Sequence, residues 1–260
     1  MKQFVTVLVA AALMLPALSS AEIIVGNAST DMLLVADTAT GEMTDYVPIG
    51  TPHIVSLAYN AVENRLFCSD TSEGVNQILE VDPVTGSCSL VYQVPDMFIV
   101  FHSTSVDPAT GDLYAIDQEH GELWRINVDE GTADHIGPLG VYWVTGADFD
   151  PFTGVLYACV GGLDSYGALY TIDLATGAAT FVTETHRLMG IAFDEDGTLY
   201  GVNNYWYPDN PGFYRIDKNT GAWEEIGSYD DYRNLMSIEF LPLDAVPVGS
   251  STFSGIKSLY

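Results

Sequence analysis

Five glycines set the period of this chain. Each closes a version of one phrase: "LLVADTATG" ending at Gly41, "ILEVDPVTG" at Gly86, "LWRINVDEG" at Gly131, "LYTIDLATG" at Gly177 and "FYRIDKNTG" at Gly221. Their separations are 45, 45, 46 and 44 residues. A β-rich unit recurring near that length cannot bury its apolar faces alone and must stack against copies of itself.

A second phrase fills the rest of each unit. It reads "SLAYNAVENRLFCS" at 56–69, "STSVDPATGDLYAI" at 103–116, "GADFDPFTGVLYAC" at 146–159 and "GIAFDEDGTLYGVN" at 190–203. A fifth copy, "SIEFLP" at 237–242, stops after one strand, and its missing partner reads "EIIVGN" at 22–27. The last strand is therefore expected to complete the first sheet, which removes an open edge from the ring. The expectation is an all-β fold: a five-bladed β-propeller with four antiparallel strands per blade, a to d from the axis outward. Apolar and polar residues alternate as half-buried strands require, and Asp-Pro, Thr-Gly and Asp-Gly pairs mark the turns. Strand a carries a marker residue: Tyr59, Val106, Phe149, Phe193 or Phe240. Three positions before it stand Ser56, Ser103, Gly146, Gly190 and Ser237, all small, as strands converging on an axis would need.

The combined phrase DPxTGxLY…LYxIDxxTG resembles the repeats of secreted bacterial β-propellers of the YVTN and lactonase-like kind, over residues 22–242. The resemblance implies the fold. Similar repeats serve unrelated activities, so it implies no single function. Lactonase-like enzymes hold a central metal among acidic and amide residues. Those positions have no one-to-one match here, and none is carried over.

The first 21 residues read as a secretory signal peptide: Lys2, an apolar run from Phe4 to Leu18, then Ser19-Ser20-Ala21. A secreted, cell-surface or periplasmic location follows as an expectation. No later run is long and apolar enough for a membrane span. Residues 243–260 form a tail outside the ring. With 35 acidic residues against 8 Lys and Arg, the surface repels nucleic acid and anionic lipid. Cys68, Cys88 and Cys159 are an odd count and sit in strand text, so they read as small buried hydrophobes. A monomer is expected.

Chain direction places the d–a and b–c loops on one face and the short a–b and c–d turns on the other. The loop face gathers the candidate ligand-binding residues: Phe101, His102, Tyr142, Trp143, His186, Arg187, Trp206, Tyr207, Tyr232 and Arg233, with Phe98 close by. Aromatic faces beside polar groups suit a glycan or a peptide, so the leading expectation is a non-enzymatic binding or scaffold module. The alternative is a metal-dependent hydrolase or lactonase-like enzyme. It would use Asp148 and Glu239, which precede the strand-a marker where the other blades have Ala58, Ser105 and Ala192. Against it, both carboxylates can be satisfied by backbone amides. His53, His102 and His186 lie before strand a at unequal offsets, so no metal and no cofactor is assigned.

Overall fold

The computed structural model describes residues 21–27, 31–51, 53–71, 76–95, 98–161, 167–204, 212–228 and 234–242. These form five sheets of four antiparallel strands. The first blade holds β1 (Ala21–Asn27), β2 (Met32–Ala36) and β3 (Met43–Pro48). The second holds β4 (Ile54–Asn60), β5 (Arg65–Asp70), β6 (Gln77–Val81) and β7 (Cys88–Gln93). The third holds β8 (Phe101–Val106), β9 (Leu113–Asp117), β10 (Glu122–Asn127) and β11 (Thr132–Pro138). The fourth holds β12 (Val144–Phe149), β13 (Leu156–Val160), β14 (Gly167–Ile172) and β15 (Ala179–Thr185). The fifth holds β16 (Gly190–Phe193), β17 (Leu199–Val202), β18 (Gly212–Ile216) and β19 (Trp223–Ser228). The last strand, β20 (Leu235–Pro242), returns to the first blade as its innermost strand and pairs Ile23 with Phe240 and Val25 with Ile238. β1 starts at Ala21, one residue inside the expected leader; residues 1–20 and 243–260 lie outside the described residues. Among the described residues there is no α-helix, and none long and apolar enough to cross a membrane.

The inner strands touch in the order β20, β4, β8, β12, β16 and back to β20. Each gap between blades is filled by its own apolar cluster. Leu33, Ile54 and Leu66 fill the gap between blades 1 and 2, and Leu34, Val202 and Phe213 the one that closes blade 5 on blade 1. The alternating pattern expected of every strand gives way to a gradient of burial from axis to rim. β12 is buried at all six positions, whereas β15 has no buried position. Inner strands are covered by a neighbouring blade on both faces, and the outer ones are not.

The repeated phrase has a local cause. In four of the five blades an Asp opens the c–d turn (Asn127 takes its place in blade 3) and accepts a backbone N–H bond two residues on, as Asp82 does from Val84 at 2.8 Å and Asp217 from Asn219 at 2.9 Å. Four residues on, the closing glycine donates to the same Asp carbonyl, Gly86 to Asp82 at 2.8 Å and Gly221 to Asp217 at 2.8 Å. That turn needs a left-handed backbone, φ +70° at Gly86 and +71° at Gly221, which glycine adopts without a steric cost. A second cause is tertiary. Each closing glycine presses on the outer strand region of the preceding blade. A Cβ on Gly177 would lie 2.7 Å from the Gly137 carbonyl carbon, and one on Gly41 2.7 Å from the Gly227 Cα.

At the axis the small residues touch. A Cβ on Gly146 would lie 2.7 Å from the Gly190 Cα, and one on Gly190 3.1 Å from the Ser237 Cα. The Ser56 hydroxyl is within 2.7 Å of the Thr104 hydroxyl in the next blade.

Two alanine substitutions separate the causes. Gly154, at φ +66°, has nothing within 4 Å of a built Cβ, so Gly154→Ala should cost only the left-handed backbone, about 1–2 kcal/mol. Gly177, at φ +82°, should cost about 1–3 kcal/mol more on replacement, because the Cβ also overlaps blade 3. Denaturant unfolding of both variants measures the difference. Equal losses would show that the turn alone selects the glycine.

Candidate functional site

At the axis, strand a is the inner edge of each sheet, so some of its N–H groups face no strand partner and need acceptors. Asp148 and Glu239 supply them. Asp148 Oδ2 accepts the N–H of Phe193 in the next blade at 2.7 Å, and Oδ1 accepts the Ser105 hydroxyl of the preceding blade at 2.9 Å. Glu239 Oε2 accepts the N–H of Tyr59 in the next blade at 3.0 Å, and Oε1 accepts that of Phe240 at 2.8 Å. Both carboxylates are therefore clasps between blades. An axial cavity lined by Ser56, Ser103, Gly146, Gly190 and Ser237 among others has a volume of about 10 Å³, about what one water needs.

Burial pushes the Asp148 carboxyl up from 3.8 to about 6 against the pull of its hydrogen bonds. Burial, and then the charge of Asp148, push Glu239 well above the usual range. Burial also pushes the His102 imidazole down to about 4.

The loop face is built around Asp117, whose side chain is 1% exposed. It accepts the N–H of Val100 at 3.1 Å, the N–H of Glu119 at 3.1 Å and a contact from His120 Nδ1 at 2.6 Å. One buried carboxylate thus ties the loop before β8 to the turn between β9 and β10. The same turn holds the loop before β12: the Gln118 carbonyl accepts the Trp143 N–H at 3.3 Å, and the Trp143 carbonyl accepts the Gly161 N–H at 3.2 Å. Tyr142 lies over Gly121, its Cδ1 3.3 Å from where a Cβ would stand.

Three large apolar side chains flank this turn in the open: Phe98 at 67% exposure, Tyr142 at 61% and Trp143 at 51%. Trp143 has φ +60°, a left-handed backbone that costs a bulky residue about 1–3 kcal/mol. Its backbone bonds to blades 3 and 4 hold it there.

The other expected loop-face residues separate. Phe101 is a core residue rather than a ligand-facing one. It is the first residue of β8, 2% exposed, with its ring 6.1 Å from that of Trp124. His102, the next residue of β8, is partly buried. His186 packs against Tyr214 and Trp223, with ring centroids at 4.4 and 4.5 Å, and Arg187 is partly buried beside it in sequence. Trp206, Tyr207, Tyr232 and Arg233 lie outside the described residues. Asp117 and His120 escaped sequence reading. Asp117 ends strand b as Asp70 does in blade 2, which was the one available signal.

A polar concavity of about 320 Å³ lies on the turn face between blades 2 and 3, lined by Glu63, Asp112, Arg125, Asp129 and Asp134 among others. Its arginine is paired with Asp134 at 3.0 Å, and Arg65 bridges to Asp129 at 3.2 Å. These pairs link the turns around it and offset part of their negative charge.

The axial carboxylates predict a pH effect of definite sign. Both hold their protons more tightly folded than unfolded. Their contribution to stability is therefore greatest at low pH and is lost as pH rises, for Asp148 from about 4 through about 6 and for Glu239 as pH climbs well above the usual carboxylate range. Asn at position 148 keeps an acceptor for Phe193 and a donor for Ser105. Asp148→Asn should thus gain stability relative to the native chain across that window, measured as the difference between unfolding curves at pH 4, 6 and 8. Asp148→Ala strands a buried N–H and should lose about 1–3 kcal/mol.

The chain is similar in structure to several known propellers. One is a chain of a nidogen–laminin complex (TM-score 0.60, 14% identity, 86% of this chain and 99% of that one). Another is the PQQ-bound aldose sugar dehydrogenase of Streptomyces coelicolor (0.54, 16%, 85% and 82%). A third is a protein of unknown function from Bacteroides thetaiotaomicron (0.56, 14%, 79% and 58%). At these identities the likeness is one of fold. No curated protein matches in sequence. A family model described as a repeat of unknown function, DUF6923, matches residues 67–234, more than half of the chain, and the protein belongs to that family.

Proposed function

We propose that this protein is an exported, non-enzymatic binding or scaffold propeller that engages a glycan or a peptide through its loop face. The observation that carries the reading is Trp143: its backbone is strained, both of its backbone polar groups are tied down, and its indole is 51% exposed. Folding alone gives no return for holding a large apolar ring in water at a backbone cost. With Tyr142 and Phe98 it makes an aromatic surface around one rigid turn, the kind of exposed patch that marks interaction sites. Against the enzyme reading stand the roles of Asp148 and Glu239, each committed to a backbone N–H group of the next blade.

The two readings separate under mutation. Trp143→Ala combined with Tyr142→Ala should lower binding to a responsive glycan or peptide on an array at least tenfold. Both side chains are more than half exposed, so the melting temperature should hardly change. Asp148→Asn should leave that binding unchanged. If the aromatic pair affects no ligand, and Asp148→Asn instead removes a metal-dependent hydrolysis, the enzyme reading replaces this one.

A further inference from the structure

The turn between β9 and β10, residues 118–121, is held at both of its ends. Gln118 donates its N–H to the Val100 carbonyl at 3.0 Å and accepts the Trp143 N–H at 3.3 Å, and Gly121 accepts the Leu139 N–H at 2.7 Å. Gln118 and Gly121 are buried, whereas Glu119 and His120 at the tip are exposed. The loop before β12 runs over this turn, with the Trp143 backbone on its first residue and the Tyr142 ring over its last. Phe98 stands two residues before Val100. The exposed rings and the exposed tip therefore share one braced piece of backbone. Glu119 follows directly on the carbonyl that holds Trp143.

Charge on this tip is one-sided. The His120 ring contacts the buried Asp117 carboxylate, so a proton on the ring is answered from within the turn. The Glu119 carboxylate has no hydrogen-bond or ion-pair partner among the described residues. Segments 98–101, 117–122 and 139–144 contain no lysine or arginine. Arg65, Arg125, Arg215 and Lys218 are paired with acids elsewhere, and Arg187 is partly buried in the loop before β16. The whole chain carries a formal net charge of −27. A field of that sign draws in cations and repels anions. A positive side chain arriving at the tip meets both a carboxylate and aromatic faces; a negative one meets neither lysine nor arginine.

We propose that this surface binds an arginine-bearing, basic peptide segment of a partner protein. This partner narrows, and rests on, the reading of the loop face as a binding surface. A planar guanidinium stacks on the face of Trp or Tyr and is held there by the ring quadrupole. Its N–H groups can at the same time donate to a carboxylate, which Glu119 offers. Tyr142 and Trp143 are both more than half exposed, so their rings are reachable without moving the loop. A neutral glycan would use the rings but not the charge.

Fluorescence anisotropy of a labelled Gly/Ser peptide carrying spaced arginines, titrated with the purified protein at physiological ionic strength, tests the pairing. The same peptide with citrulline for arginine keeps the shape and removes the charge. The arginine peptide should bind, and the citrulline peptide should bind about tenfold more weakly. Glu119→Gln, and Tyr142→Ala with Trp143→Ala, should each weaken arginine-peptide binding about fivefold or more. No binding of the arginine peptide overturns the proposal. So does equal binding of the citrulline peptide, or undiminished binding by the variants, which would mean general attraction to the acidic coat. Should the aromatic double variant not fold, Glu119→Gln decides alone, since it removes one charge from an exposed side chain. A neutral glycan that binds on the array and is lost with the aromatic pair, while the arginine peptide does not bind, would overturn the basic partner and leave the loop-face reading standing.

Discussion

The structure depends on how closely five inner strands can approach one axis. Close approach excludes side chains, so Gly146 and Gly190 meet backbone to backbone and Ser56, Ser103 and Ser237 complete the ring. It also leaves inward N–H groups without a strand to pair with. Asp148 and Glu239 meet that need by reaching across blade boundaries. Two buried acids are the cost of this solution, and their raised proton affinities follow from it. Elsewhere the blades are joined by apolar clusters that act over area. At the axis they are joined by individual hydrogen bonds, so single substitutions there should have large effects.

The rim repeats the logic. A turn glycine in each blade satisfies its own left-handed geometry and also lets that turn rest on the preceding blade, as Gly41 rests on Gly227 and Gly177 on Gly137. Local and global demands select the same residue, which is the consistency expected of a chain with one low-energy fold. It also explains why the glycine is the most regular mark in the sequence.

Function is carried by parts that this economy does not use. The turn face repeats nearly the same Asp-to-Gly geometry in every blade. The loop face does not repeat, and in its third blade one buried carboxylate, Asp117, braces the loop before β8 against the turn between β9 and β10. A rigid scaffold with individual loops can serve different ends, and the similar solved propellers include a member of a nidogen–laminin complex and a sugar dehydrogenase. The site must be argued from its own residues.

Much of the fold was legible in advance. The glycine period gave the blade number, and the unmatched strands at 22–27 and 237–242 gave the closure, because both follow from local chemistry repeated along the chain. The Asp148 and Glu239 pair was visible as an exception to Ala58, Ser105 and Ala192, but its role as a clasp needed the neighbouring blades. Phe101 read as a loop aromatic and is core, because strand a begins two residues earlier than its motif. Asp117 carried only a faint mark, the Asp70 that ends the same strand in blade 2, and His120 none, since their meaning lies in how a strand end meets the loop before β8. By itself the sequence determined the repeat, the turns and the closed ring, all of which depend on spacing. Only the tertiary structure decided which side chains face the axis, the core or the solvent. A bulge or a neighbouring blade can redirect a side chain without changing the pattern of residue types along the strand.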